Sequence, residues 1–251
     1  MGADKLDTVR KLLAKADRAA TAEEAQTYTA KAVELMARHG IDAALFAAAD
    51  PGRDEIGTSQ IPMDDPYSAG KARLLAWTAS ALRCRAVLHE AARFGSGGGK
   101  VSAVTVFGFA SDRERVELLY TSLLLQAGTQ LLRQRPARRG ESLAAYRRTW
   151  LYGYAVEVHR RLLAAESDAE AGAAAERAGD PADGGNRSVA LVLADRTARL
   201  DRAYADAFPG VGRARRSVMS GSGFTAGTAA GERADLGRSA VGARSRRAVG
   251  A

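Results

Sequence analysis

The stretch Tyr146-Arg147-Arg148-Thr149-Trp150-Leu151-Tyr152-Gly153-Tyr154 alternates aromatic side chains with guanidinium groups. That pairing is the chemistry of nucleic-acid contact, in which rings stack on bases while arginines neutralise phosphates. Helical spacing supplies a competing role: Tyr146, Trp150 and Tyr154 recur every four residues and would share one face turned into a core. The binding role then needs Arg147 and Arg148 exposed beside an open groove. More positive charge gathers towards the C-terminus. From Arg196 onward eleven arginines stand against Asp201, Asp206, Glu232 and Asp235, which is +7 of the chain's formal +8. Arg213, Arg215, Arg216, Arg244, Arg246 and Arg247 are the residues expected to meet a polyanion such as a nucleic acid or a nucleoprotein. Arginine outnumbers lysine 31 to 6, which also fits the codon bias of a GC-rich coding sequence.

Other chemistry is sparse. His39, His89 and His159 are the three histidines, no two stand four apart, and the single cysteine cannot make a paired-cysteine zinc pattern. Neither a metal nor a cofactor is expected. His39 falls where a helix is expected to end, and a cationic ring is favoured there by the helix dipole. His159 lies one position beyond the apolar stripe Leu151, Tyr154, Ala155, Val158 and Leu162, and packing or a local hydrogen bond accounts for it. The run from Phe94 to Val101 has the look of a phosphate loop. It carries Phe94 where the first glycine is required and Val101 where Ser or Thr must follow Lys100, so it reads as a hairpin tip. Ser222 lacks the outer glycines of a nucleophile elbow. Cys84 reads as a buried inert thiol, with Arg83 and Arg85 as the one route to activation. No catalytic residue is assigned.

The elements that must position these residues follow from periodicity. Residues 4–40 predict a helical hairpin: Leu6, Val9 and Leu13 recur at helical spacing, Thr21 and Glu24 form a capping box, and Gly40 supplies a left-handed stop. A linker or edge strand around Ile56–Ile61 follows, then a helix with Asp65 as N-cap and Pro66 at its first position. Arg85–His89 and Val101–Phe109 predict a β-hairpin. Ser111 and Glu114 form a second capping box opening a long helix that Pro136 and the basic RPARRG end. Another helix covers Ser142 to Ala165, followed by a frayed, low-complexity stretch. Ser188–Leu193 reads as a buried strand, and Asp195 as the cap of a last helix stopped by Pro209-Gly210. The fold class is α+β, a helical hairpin plus a mostly helical domain on a small sheet. The expected division is a hairpin module at 1–46, a linker at 47–65, a core domain at 66–210 and a Gly/Arg-rich segment at 211–251.

The hairpin stretch VRKLLAKADRAATAEEAQTYTAKAVELMARHGID resembles the N-terminal module of an uncharacterised bacterial and phage family, a DUF2786-like domain of unknown function. The segments AYRRTWLYGYAVEVHRRL and GFTAGTAAGERADLG are similar, more loosely, to that family's second, DUF7168-like region. The resemblance implies a shared architecture and no activity.

Gly223, Gly227 and Gly231 fall four residues apart, and each costs about 1 kcal/mol relative to alanine in a helix. Three explanations stay open: a stripe that lies directly on another element, a disordered tail, or a backbone that approaches an anion. Gly153 in mid-helix is expected to let another backbone come close. No apolar run reaches the roughly 20 residues that cross a bilayer. The first thirteen residues mix charges and lack a leader-like apolar region, which predicts a cytoplasmic protein without a membrane contact. The residues support a non-enzymatic module binding nucleic acid or protein, the hairpin serving as a protein contact. The alternatives are an oligomerising adaptor and an enzyme, a hydrolase among the options, with a pocket gathering His159, Tyr152, Glu157 or Cys84.

Overall fold

The structure is a computed structural model that describes residues 2–18, 22–90, 100–136, 138–178, 188–212 and 220–234. In chain order the helices and strands are α1 (Gly2–Asp17), α2 (Ala22–Ala49), β1 (Ile56–Pro62), α3 (Ser68–Ala81), β2 (Arg85–Glu90), β3 (Val101–Phe109), α4 (Ala110–Arg133), α5 (Leu143–Ala178), α6 (Val189–Ala207) and α7 (Phe224–Arg233), with one 3-10 turn at Pro51–Arg53. The fold is α+β: helices around a three-stranded antiparallel sheet of order β1-β3-β2. The central strand β3 is buried at every position but Ser102, which is why it reads as a continuous apolar run rather than an alternating one. Its register pairs Ile56 with Phe109 on one side and Arg85 with Phe107 on the other. Pro62 ends β1 at the sheet edge, where its missing N–H leaves no central ladder broken.

The hairpin is docked. Val9, Leu13, Ala32, Val33 and Met36 share one buried cluster with Leu75, Leu119, Leu123, Trp150 and Tyr154. A second cluster joins Ile41 and Ala44 of α2 to Ala173 of α5 and to Val189, Val192 and Leu193 of α6.

That second cluster explains the first departure from the sequence expectation. Gly40 does not end a helix; α2 runs on to Ala49 because Ile41, Ala44 and Ala47 continue a buried stripe. Gly40 is instead the gap into which Arg115 fits, since a Cβ there would lie 2.1 Å from the Arg115 Nη1. His39 is therefore a buried mid-helix residue, away from any helix end. The capping box at Thr21 lies outside the described residues.

Asp65 does not stand directly before α3: the Asp65-Pro66 peptide is cis and Tyr67, at φ +70°, takes that place. The Asp65 carboxylate nevertheless accepts from the hydroxyl and amide of Ser68, the first residue of α3, and pairs with Lys100 at 2.6 Å. Ser111 lies inside the first turn of α4 rather than before it, and the acceptor it was expected to be is Asp54. The Ser111 amide and hydroxyl donate to the Asp54 carboxylate at 3.1 and 2.6 Å, so a carboxylate from outside the helix satisfies its first turn. The low-complexity residues 166–178 are not frayed but continue α5 to 36 residues, about 54 Å. Ser188–Leu193 is the largest correction: it opens helix α6 instead of forming a strand. Ser188 accepts from the Leu191 amide as N-cap, and Val189, Val192, Leu193, Arg196 and Leu200 form the buried face. A short run of apolar residues carries no period of its own, and only the later positions reveal the helical one. Asp195 is accordingly mid-helix and exposed. The glycine-rich tip, residues 91–99, lies outside the described residues.

Candidate nucleic-acid interface

The corner between α4 and α5 collects arginines. Arg133, Arg135, Arg138, Arg139, Arg147 and Arg148 all fall within residues 133–148, where Glu141 is the sole acid. All but the half-buried Arg147 are exposed. Two of the six also hold the end of α4: Arg135 and Arg147 donate to the Leu132 carbonyl at 3.0 and 2.9 Å. Unpaired carbonyls and the negative end of a helix dipole favour cations at such a terminus. Glu141 is already engaged. Its carboxylate accepts from the Ser222 amide at 2.6 Å and the Ser222 hydroxyl at 2.7 Å. These bonds, with Arg138 nearby, hold its pKa below the ordinary carboxylate value.

From this corner α5 presents two faces. Tyr146, Trp150 and Tyr154 turn inward and are buried, with the Trp150 and Tyr154 rings stacked at 5.5 Å. Tyr152 turns outward, one helical turn beyond Arg148. It joins a chain of rings that no single segment of sequence contains: Phe224 to Tyr152 at 5.5 Å, Tyr152 to Trp77 at 5.7 Å, and Trp77 to His159 at 5.8 Å. Arg73 lies over this chain, its Cζ 4.9 Å from the Tyr152 ring centre and 6.0 Å from that of Trp77. Phe224 is 40% exposed, while Trp77, Tyr152 and His159 are half-buried.

Helix α7 lies along α5 backbone to backbone. A Cβ at Gly223, Gly227 or Gly231 would fall 2.3 Å from the Tyr146 carbonyl oxygen, 2.0 Å from that of Trp150, and 3.0 Å from that of Tyr154. The four-residue spacing of the glycines thus meets the four-residue spacing of those carbonyls. Gly153 faces back, its missing Cβ 2.2 Å from the Phe224 oxygen. Arg161 closes the far end of α7 by donating to the carbonyls of Gly231 at 2.7 Å, Glu232 at 2.9 Å, and Ala234. This seating brings Phe224 beside Tyr152.

Elsewhere a buried ionic network ties the start of α4 to α5 and α6. Arg115 is fully buried and donates to Asp112 at 3.0 Å and to Glu166. Arg83 bonds the other Glu166 oxygen at 2.7 Å. Arg196 donates to Asp54 at 2.6 Å and Asp112 at 2.9 Å, and its guanidinium lies 3.6 Å from the Phe109 ring centre. Burial opposes the charge of Arg115, yet Glu166 and Asp112 outweigh it and its pKa lies above the ordinary value. Beside the network an open cleft of about 990 Å³ runs between α2, β1 and the start of α4, with His39, Asp54 and Arg113 in its wall and Phe46 exposed at its edge. Arg113 is committed to the Gly108 and Thr58 carbonyls and the Ser59 hydroxyl. The cleft mixes both signs of charge, unlike the α4–α5 corner.

Of the residues singled out from sequence, Arg147 and Arg148 lie at the corner. Arg213, Arg215, Arg216, Arg244, Arg246 and Arg247 lie outside the described residues. His159, Tyr152, Glu157 and Cys84 do not line the cleft; Glu157 pairs with Arg160, and burial pushes the Cys84 thiol up, away from a reactive thiolate. Among the described residues no cluster of three metal-ligating side chains occurs, and no helix is long and apolar enough to cross a membrane. Sequence reading missed Arg133, Arg135, Arg138 and Arg139 because RPARRG also reads as a helix stop. Their density against a lone acid was the available signal. Arg73 and Trp77, and likewise Phe224, gave none, because they lie far from Tyr152 in the chain.

Residues 5–43, which span most of α1 and α2, match the family model described as a protein of unknown function (DUF2786). No curated protein and no solved structure matches the chain.

Proposed function

We propose that this chain is a nucleic-acid-binding protein whose contact surface is the arginine corner between α4 and α5. The observation that carries the reading is the charge balance: six arginines within residues 133–148 against one carboxylate already held by Ser222. Five of the six are exposed, and such a one-signed patch draws polyanions and concentrates them at the surface. Arg213, Arg215, Arg216, Arg244, Arg246 and Arg247 are proposed to add to the same attraction. The likeness of residues 145–162 and 223–237 to a second, DUF7168-like region belongs to this proposal too.

Arginine–phosphate contacts release counterions, so binding weakens with salt by a log–log slope of about −0.7 to −0.9 per phosphate neutralised. Fluorescence polarisation of labelled oligonucleotides between about 50 and 200 mM salt is the test. The combined variant Arg133→Gln, Arg138→Gln, Arg139→Gln and Arg148→Gln is expected to flatten that slope by about 3. Whatever slope is left belongs to the other arginines. No binding at low salt, or binding indifferent to salt, ends the reading.

A further inference from the structure

Resting on the reading just given, we infer that the nucleic acid is single-stranded and that its bases stack on the ring chain Phe224–Tyr152–Trp77–His159. Tyr152, the second ring of the chain, stands one helical turn from Arg148, so the chain adjoins the arginine corner. Successive centres are 5.5, 5.7 and 5.8 Å apart, and the rings are tilted at 44°, 51° and 33°, so they do not cover one another face to face. Arg73 lies over the middle of the chain, where a guanidinium plane can stack on a base and face a phosphate. Burial lowers the pKa of His159, so at neutral pH it offers an uncharged ring.

Charge agrees with this occupant. Helix α3 carries Lys71 and Arg73 and no acid, and between residues 143 and 165 the one acid on α5 is Glu157, which is paired with Arg160 at 2.5 Å. A duplex keeps the faces of its bases stacked inside and offers phosphates and groove edges, so it would use the arginines and leave the rings idle. An unpaired strand uses both. Helix α7 adds Arg233 and the exposed Glu232, which is near enough to Arg160 to act on its charge, so cations still outnumber acids on these helices and the aromatic strip favours an anionic ligand with flat faces over a protein partner.

Trp77 and Trp150 are the two tryptophans, and Trp150 is fully buried, so quenching on addition of a strand reports Trp77 alone. The full chain is titrated with oligo(dT), oligo(rU) and a DNA duplex of matched charge. Single strands are expected to bind more tightly than the duplex and to quench the emission, and the tighter of the two identifies DNA or RNA as the source. Trp77→Phe is expected to abolish the quench and, because it keeps a ring at that position, to weaken the binding seen by polarisation less than the alanine variants do. Tyr152→Ala and the more exposed Phe224→Ala are each expected to weaken single-strand binding at least about fivefold, the lower end for a lost base stack. Phe224→Ala serves if Tyr152→Ala does not fold. Salt-dependent binding that is equal for strand and duplex, unquenched, and unchanged in Phe224→Ala overturns the inference and leaves the proposed function standing. Absence of any binding at low salt removes both.

Discussion

A methyl group added at Gly227 would fall 2.0 Å from the Trp150 carbonyl oxygen, whereas one added at Gly172 meets nothing within 4 Å. Both glycines are in helices, so propensity alone treats them alike. Packing separates them. Gly227→Ala is expected to destabilise by about 1–3 kcal/mol, because backbone, unlike a side-chain tip, cannot step aside. Gly172→Ala is expected to stabilise by up to about 1 kcal/mol from helix propensity. Urea denaturation of the two variants checks the pair, and a Gly227→Ala protein as stable as the parent would remove the close contact from the account.

Among elements, α2 and α6 show where local signals yield. Glycine at position 40 is a sound stop signal, and it is overridden because Arg115 needs the space and Ile41 and Ala44 need a buried partner. Arg115→Leu is expected to destabilise by about 3–5 kcal/mol, since it takes a buried cation from between Asp112 and Glu166 and leaves each with one arginine, Arg196 and Arg83, on its other oxygen. Gly40→Ala is expected to destabilise the parent by about 1–3 kcal/mol and to matter less in the Arg115→Leu background. A double-mutant cycle measured by chemical denaturation reads the coupling; strict additivity would show that Gly40 does not serve Arg115. The hairpin strands were legible from two β-prone runs around a glycine-rich loop, and α4 from its period and its stop at Pro136. The run Ser188–Leu193 was not, because its five apolar residues fit a buried strand and a buried helix equally.

In the whole molecule, the hairpin and the remainder share one buried cluster through Val9, Leu13 and Met36. Thermal unfolding followed by far-UV circular dichroism and by tryptophan emission is therefore expected to give one coincident transition. Met36→Ala is expected to lower that same midpoint, at a loss of about 2–5 kcal/mol, rather than to melt the hairpin separately. Two resolved transitions would mean that the match at residues 5–43 marks an independent unit. The candidate interface is likewise a property of the assembled chain. Arg147 and Arg148 were visible as a motif, but Arg73, Trp77 and Phe224 reach Tyr152 through the packing of α3 and α7 on α5.

The sequence by itself determined which residues are helical or extended wherever a period ran long enough, that glycines recur at the pitch of a helix, and that cations outnumber acids. Those are properties of neighbours within a few positions, which backbone geometry links directly. Only the tertiary structure decided that the aromatic motif splits between core and surface, that the glycine stripe lies on the α5 carbonyls, and that four rings from three helices form one chain. A period says which side chains share a face. What lies against that face depends on shape and charge matched across distant segments, and no local pattern carries that information.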